Sequence, residues 1–286
     1  MKKNSILCRR IFLTTVLIWT IIFAVLPILL TFVTSLLATD VNKTLQFIPT
    51  FDNYLSLVNY AYVKVFSRSL YMSIVCTLIC LIIAYPFAFI ISRCQSKHRS
   101  LLLLLVIIPS WTSSLIRTYA IMAILKTKGI LNSILLALGI IDQPMQLLYS
   151  HTAVLVGLVY DLLPFMILPL YVNIEKLNPE YLEAAKDLGA NSLTTFSKVI
   201  IPQTKQGIVS GCILVFLPSM TIFYIPILLG GAKNLLIGNL VEYQFLSANN
   251  WPLGTALSCV ITLLMMAFIL IHWKSSNKTV RRKYIL

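Results

Sequence analysis

A single carboxylate stands where a carboxylate is expensive. Asp161 lies at the centre of an apolar run from about His151 to Val172. A charged aspartate at mid-membrane costs about 2.5–3.5 kcal/mol on insertion scales, so it must face other protein or a watery cavity. A second polar cluster, Ser110-Trp111-Thr112-Ser113-Ser114, breaks another apolar run directly after Pro109, and Arg117 follows it. Ser219, Phe223 and Tyr224 interrupt a third run, and Tyr160 precedes the carboxylate. Hydroxyl acceptors, one negative charge and several aromatic faces form the lining of a path. Such a lining must bind weakly, because a solute held tightly does not leave. Each residue also has a plainer role: Asp161 can pair with Arg117 or with a polar group on a neighbouring helix as structural glue, and Trp111, Phe223 and Tyr224 can be packing.

Reaction chemistry is not written in this chain. There is no G-x-x-x-x-G-K-[ST] or G-x-G-x-x-G to cradle phosphates, no H-E-x-x-H and no G-x-S-x-G. His98, His151 and His272 are dispersed, and the six cysteines lack metal-ligand spacing. A lone intramembrane aspartate lacks the second carboxylate an aspartic protease requires. The sequence therefore predicts neither catalytic residues nor a metal or cofactor on this chain.

The elements that position these residues are apolar helices. Hydrophobic residues make up 58% of the chain and charged residues 11%, with a mean hydropathy of +0.88; that balance is membrane-embedded. The apolar runs predict spans at about 11–37, 70–91, 101 onward, 151–172, 208–229 and 253–273. In the third, Pro109 and the hydroxyls fall roughly 12 to 20 Å from the inner face of a ~30 Å core. Irregular backbone at that depth survives only inside protein or against water. Pro164 and Pro169 are expected to bend the fourth span. A short surface helix is expected within 126–146. The first span reads as retained, since the run is too long for a signal peptide.

The net charge of +14 would suit nucleic acid, but its placement points elsewhere. Sixteen of the 23 basic residues fall at the N-terminus, near Arg93–Arg99, around 176–205 and in the tail. Those sites alternate with the spans, which predicts a cytoplasmic N- and C-terminus.

Between the fourth and fifth spans lies a polar island, Asn178 to Gly207. It reads as two short helices. Asn178 and Pro179 start the first, and Gly189 stops it in the left-handed conformation. Ser192 is expected to cap the second, whose apolar residues include Phe196, and Pro202 to end it. A DNA-reading helix-turn-helix shares that outline, but short tethers to membrane spans make it implausible.

Glu183-Ala184-Ala185, Gly189 and Ile201-Pro202 match the EAA loop, and the island resembles that of ABC-importer permease subunits. Three further stretches, Pro109–Arg117, Leu158–Met166 and Gly230–Asn239, are similar to the spermidine/putrescine branch of that family. The resemblance implies an all-α integral membrane protein with six transmembrane helices. It further implies a single permease domain over 1–286, with a core of about 66–273 and a coupling loop of about 174–206. It implies a cytoplasmic hook docked in an ATPase cleft, with Glu183, Ala184, Ala185, Leu188, Gly189, Phe196 and Pro202 as coupling residues. A solute path would use Ser110, Trp111, Ser113, Tyr160, Asp161, Ser219, Phe223 and Tyr224. The implied partners are a second permease subunit, an ATPase homodimer holding ATP and Mg, an extracytoplasmic polyamine-binding protein, and the lipid bilayer of a bacterial inner membrane, with no nucleic acid. Gln206 stands where the family usually has proline, which loosens the expected exit from the loop. The same architecture could carry a ferric complex, an amino acid or sulfate, or serve as a non-transporting scaffold.

Overall fold

A computed structural model describes residues 12–39, 45–231 and 234–283, with side chains as far as Leu270 except that of Leu45. The basic residues Lys2, Lys3, Arg9 and Arg10, together with Asp40, Ala232 and Lys233, lie outside the described residues, as do the side chains of the basic tail from Lys274. Among the described residues six helical stretches are long and apolar enough to cross a membrane: Phe12–Ser35, Tyr60–Arg93, Ser114–Ala137, His151–Glu175, Ser192–Thr221 and Trp251–Leu270. The chain divides into two compact units, Met1–Val63 with Leu240–Leu270 and Lys64–Asn239 with Ile271–Leu286.

In the first unit, α1 (Phe12–Ser35) leads into a two-stranded antiparallel sheet of β1 (Leu37–Thr39) and β2 (Leu45–Pro49). This small sheet was not expected from the hydropathy pattern, because strands this short leave no periodicity to read. A short helix, α2 (Asp52–Leu57), follows. Asn53 ties it back to α1 by donating to the carbonyls of Ser35 and Leu37 at 3.0 and 2.9 Å. The final helix, Trp251–Lys283, bears on α1 through Cys259, whose thiol donates to Thr31 O at 3.9 Å.

The second unit carries the core. Its central element is α7 (His151–Glu175), capped by Ser150, which accepts from Ala153 N at 3.1 Å. Val154, Leu158, Leu162, Met166, Leu170 and Ile174 recur every fourth residue and are all buried, so one stripe of the helix faces protein along its whole length. The fifth span packs against it. Gly207 and Gly211, four residues apart, allow the approach: a Cβ at 207 would lie 2.7 Å from Asn173 Cβ and 2.9 Å from Pro169 O. Close backbone contact of this kind supplies the dispersion that holds helices together where lipid removes the hydrophobic drive. The small-x-x-x-small spacing of Gly207 and Gly211 is visible in the sequence itself.

The remaining helices of this unit are α3 (Tyr60–Arg93), α4 (Ser96–Ile107), α5 (Ser114–Leu125), α6 (Ile130–Ala137) and α8 (Glu180–Asp187). The helix α9 (Ser192–Thr221) comes after them. The helix that holds the second span begins at Tyr60, ten residues before the start expected at about 70, since Tyr60–Ser69 is helix-compatible despite its charges. The third span is two helices, α4 and α5, separated by a 3-10 turn at Ile108–Trp111 and by extended backbone at Thr112 (ψ 154°). A short helix does lie within 126–146, α6, and it forms the end of the membrane-length stretch Ser114–Ala137.

Candidate functional site

The polar knot is built by two breaks and one intact helix. Pro109 and the 3-10 turn after it end α4, so α5 starts afresh at Ser114. Its first turn places Ser114, Arg117 and Thr118 on a shared face. The second break follows α9, where Ile222 leaves helical geometry with ψ 122°. There the side-chain amide of Asn239 donates to Phe223 O at 2.6 Å, while its oxygen accepts from Leu236 N at 2.9 Å. A carbonyl freed by a break in an apolar segment must find a donor, and Asn239 provides one. Tyr224 therefore turns towards α7.

At the centre lies Asp161, 8% exposed. Arg117 Nη2 is 2.8 Å from Asp161 Oδ1. The Ser114 hydroxyl donates to the same oxygen at 2.5 Å. Tyr224 Oη donates to Ser114 Oγ at 2.8 Å and lies 3.4 Å from Asp161 Oδ2. The guanidinium also sits 5.9 Å from the centroid of the Tyr160 ring, within cation–π range. Arg117 Nε is buried and has no hydrogen-bond partner. Of the alternatives open in the sequence, Asp161 is therefore ion-paired with Arg117, and a hydroxyl relay from Tyr224 through Ser114 completes its shell.

The other expected path residues are not all gathered here. Tyr160 and Tyr224 join the knot. Phe223 packs edge-on against Tyr224 at 5.8 Å and keeps 42% exposure. Ser110 turns back on its own chain, donating to Ile107 O at 2.6 Å. Trp111 is 78% exposed and Ser113 is exposed beside it. Ser219 is fully enclosed and donates to Phe216 O at 2.8 Å, so its hydroxyl is satisfied within its own helix. Ser114, a member of the hydroxyl cluster, and Arg117, named in the sequence as a possible partner of Asp161, are the residues central to the geometry.

The hook has the expected joint. Asn178 Oδ1 accepts from Glu180 N at 3.1 Å to start α8. At its end Gly189 has φ +76°; Gly189 N donates to Lys186 O at 2.8 Å and Ala190 N to Ala185 O at 3.0 Å. Those two bonds form a Schellman stop. Two details differ from expectation. Asn191, not Ser192, caps the second helix, accepting from Thr194 N at 2.8 Å. Pro202 does not end that helix, which continues into the fifth span as α9. A π-turn at Phe196–Ile200, closed by Ile201 N donating to Phe196 O, precedes the proline and gives its ring room in the first turn beyond. The helix also runs through Gln206 unbroken.

The two alanines part company. Ala185 is buried against the rest of the chain, whereas Ala184 and Glu183 are exposed. Leu188 is 88% exposed, and Leu193, an apolar residue of the second helix outside the expected coupling set, is 80% exposed. These two leucines flank Gly189 as an apolar tip. Phe196, 38% exposed, sets its ring edge-on to Tyr85 at 5.3 Å. Tyr85 Oη lies 2.8 Å from Thr204 Oγ1. Beside the hook, Arg99 pairs with Glu175 at 2.5 Å and donates to Ser92 O at 3.0 Å and Cys94 O at 3.3 Å.

No family model matches the chain. Close relatives do. The spermidine/putrescine transport system permease protein PotB of Escherichia coli is 47% identical over 265 residues, covering 93% of this chain and 96% of that one. PotB of Salmonella typhimurium is 46% identical over 275 residues and that of Haemophilus influenzae 47% over 275, each covering 96% of both chains. In three dimensions the chain is similar to one from a bacterial ABC transporter that imports the acidic polysaccharide alginate, with TM-score 0.77, 18% identity and 96% of both chains covered. It is also similar to a chain of a bacterial alginate ABC transporter in complex with an alginate pentasaccharide-bound periplasmic protein, with TM-score 0.75, 18% identity, and coverage of 94% and 93%. The structural neighbours carry the fold, and the sequence relatives carry the family. This chain belongs to the family of spermidine/putrescine transport-system permease proteins.

Proposed function

We propose that this chain is one of two permease subunits of an ATP-driven polyamine importer, forming half of the path for spermidine or putrescine. The observation that carries the proposal is its 46–47% identity, over nearly its whole length, to permeases named for that transport. The arrangement of the second unit supports it: two helices interrupted beside a buried ion pair, with hydroxyls and half-exposed aromatics around them. A polyamine is a flexible chain of ammonium groups, for which aromatic faces and neutral acceptors are suitable transient partners.

The partners follow from the same proposal. A second, similar permease completes the path. A cytoplasmic ATPase homodimer binds ATP and Mg, and this chain binds neither. An extracytoplasmic receptor delivers the polyamine, and both termini and the hook lie on the cytoplasmic side. Leu188 and Leu193 present an apolar tip beside exposed Glu183 and Ala184, which suits a cleft on the ATPase. Phe196, Gly189 and the helix running on through Pro202 carry closure of that cleft into the fifth span.

Uptake of labelled spermidine and putrescine in cells lacking this chain tests the substrate. Uptake should fall on deletion and return with the intact gene, and unchanged uptake overturns the proposal. Affinity purification in mild detergent should recover an ATPase and a second permease with the tagged chain. Recovery of neither sinks the assembly.

A further inference from the structure

We infer that Asp161 serves the solute path by cancelling the charge of Arg117, and that it is not the group that binds the solute's ammonium. This rests on the proposed polyamine path and assigns roles within it. A carboxylate offers about four acceptor positions on two oxygens. One oxygen is taken by both Arg117 and Ser114, and the other is approached by Tyr224. Both side chains of the ion pair are only 11% exposed. Little of the carboxylate is left for a visitor.

The need for it lies with Arg117. A fixed guanidinium beside a path for polycations repels every ammonium that approaches, and more strongly in a dry interior than in water. Paired with Asp161, the knot is formally neutral. Its Nε is buried without a hydrogen-bond partner, so the cation relies on the carboxylate held 2.8 Å from Nη2. What the knot leaves to the solute is the half-exposed Tyr160 ring and the neighbouring hydroxyls, among them Ser113. Those are weak partners, as transit requires.

The two roles separate in paired variants. The measurement is labelled spermidine uptake by the full importer in cells lacking the native chain, expressed per assembled complex recovered through a tag. Asp161→Asn should lower uptake by about tenfold or more, because the buried cation is then unpaired. The double variant Asp161→Asn with Arg117→Gln, neutral again, should return to within about threefold of the native rate if the two residues act as one unit. The exchange Asp161→Arg with Arg117→Asp keeps neutrality and should also recover uptake, although it places a cation at position 161. Arg117→Gln alone exposes a bare carboxylate and should lower the KM and the maximal rate together.

If both neutral pairs stay as inactive as Asp161→Asn while assembled in normal amount, Asp161 is a solute ligand and the inference is overturned. Failure of the native importer to carry spermidine at all would instead overturn the substrate assignment, so the two failures are distinguishable.

Discussion

The Tyr85 hydroxyl and the Thr204 hydroxyl are 2.8 Å apart, and the ring of the same tyrosine meets Phe196 edge-on at 5.3 Å. One side chain on the second span thus touches α9 twice, at the first residue of the π-turn Phe196–Ile200 and again beyond it at Thr204. Tyr85→Phe keeps the ring and loses one buried hydrogen bond, at a cost of about 1 kcal/mol. Tyr85→Ala removes the ring as well and should cost ~3–5 kcal/mol. Thermal unfolding of the purified complex should rank the two in that order. ATP hydrolysis without matching uptake is expected for the alanine variant alone, since it frees the hook from the second span.

The joint of the hook depends on backbone conformation. Gly189 has φ +76° and nothing within 4 Å of where a Cβ would be, so substitution there meets strain and no clash. Gly189→Ala should cost ~1–2 kcal/mol from the left-handed geometry alone, and a β-branched valine more. Because neither fills occupied space, membrane insertion should stay normal while receptor-stimulated ATP hydrolysis falls. An unchanged rate for Gly189→Val would show that the angle between the hook's helices is unimportant.

Gly207 and Gly211 are not equivalent. A Cβ at 207 would meet Asn173 Cβ at 2.7 Å and the Pro169 carbonyl oxygen at 2.9 Å, neither of which yields easily. At 211 the nearest atom is Met166 Sδ at 2.6 Å, part of a flexible side chain that can turn aside. Gly207→Ala should therefore destabilise by ~1–3 kcal/mol through overpacking, and Gly211→Ala by less. Melting midpoints in detergent check the ordering.

Arg99 and Glu175 form a half-exposed pair, 27% and 40% accessible at the side chain. Glu175→Gln should change stability by under ~1 kcal/mol, as exposed ion pairs do. Arg99→Ala also strips the donors to Ser92 O and Cys94 O, so it should cost more. Equal effects would mean that the ion pair alone matters. A double variant, measured in the same unfolding assay, separates the two contributions.

Much was legible in the linear chain. Six apolar stretches, the interrupted third span and the Gly189 stop depend on contiguous composition and on conformational preferences of single residues. Pro109 and Ser110–Ser114 announced a break because hydroxyls and proline cannot continue an apolar helix. The asymmetry of the hook was not legible. Adjacent Ala184 and Ala185 differ in nothing but the side of α8 they occupy, and only packing makes one buried and one free.

The pairing of Arg117 with Asp161 was likewise one possibility among several until the fold brought α5 onto α7. Pro202 marked a helix end by local rule, yet the preceding π-turn lets α9 pass through it. Length, hydropathy and turn chemistry are set by neighbours in the chain, so sequence alone determined the spans, the hook and the polar residues within them. Which oxygen meets which cation is set by side chains as far apart as Tyr85 and Thr204, 119 residues in sequence. Such pairs exist only once helices have packed, because the free energy of leaving a polar group unpaired in an apolar interior selects its partner from whatever lies within reach in space.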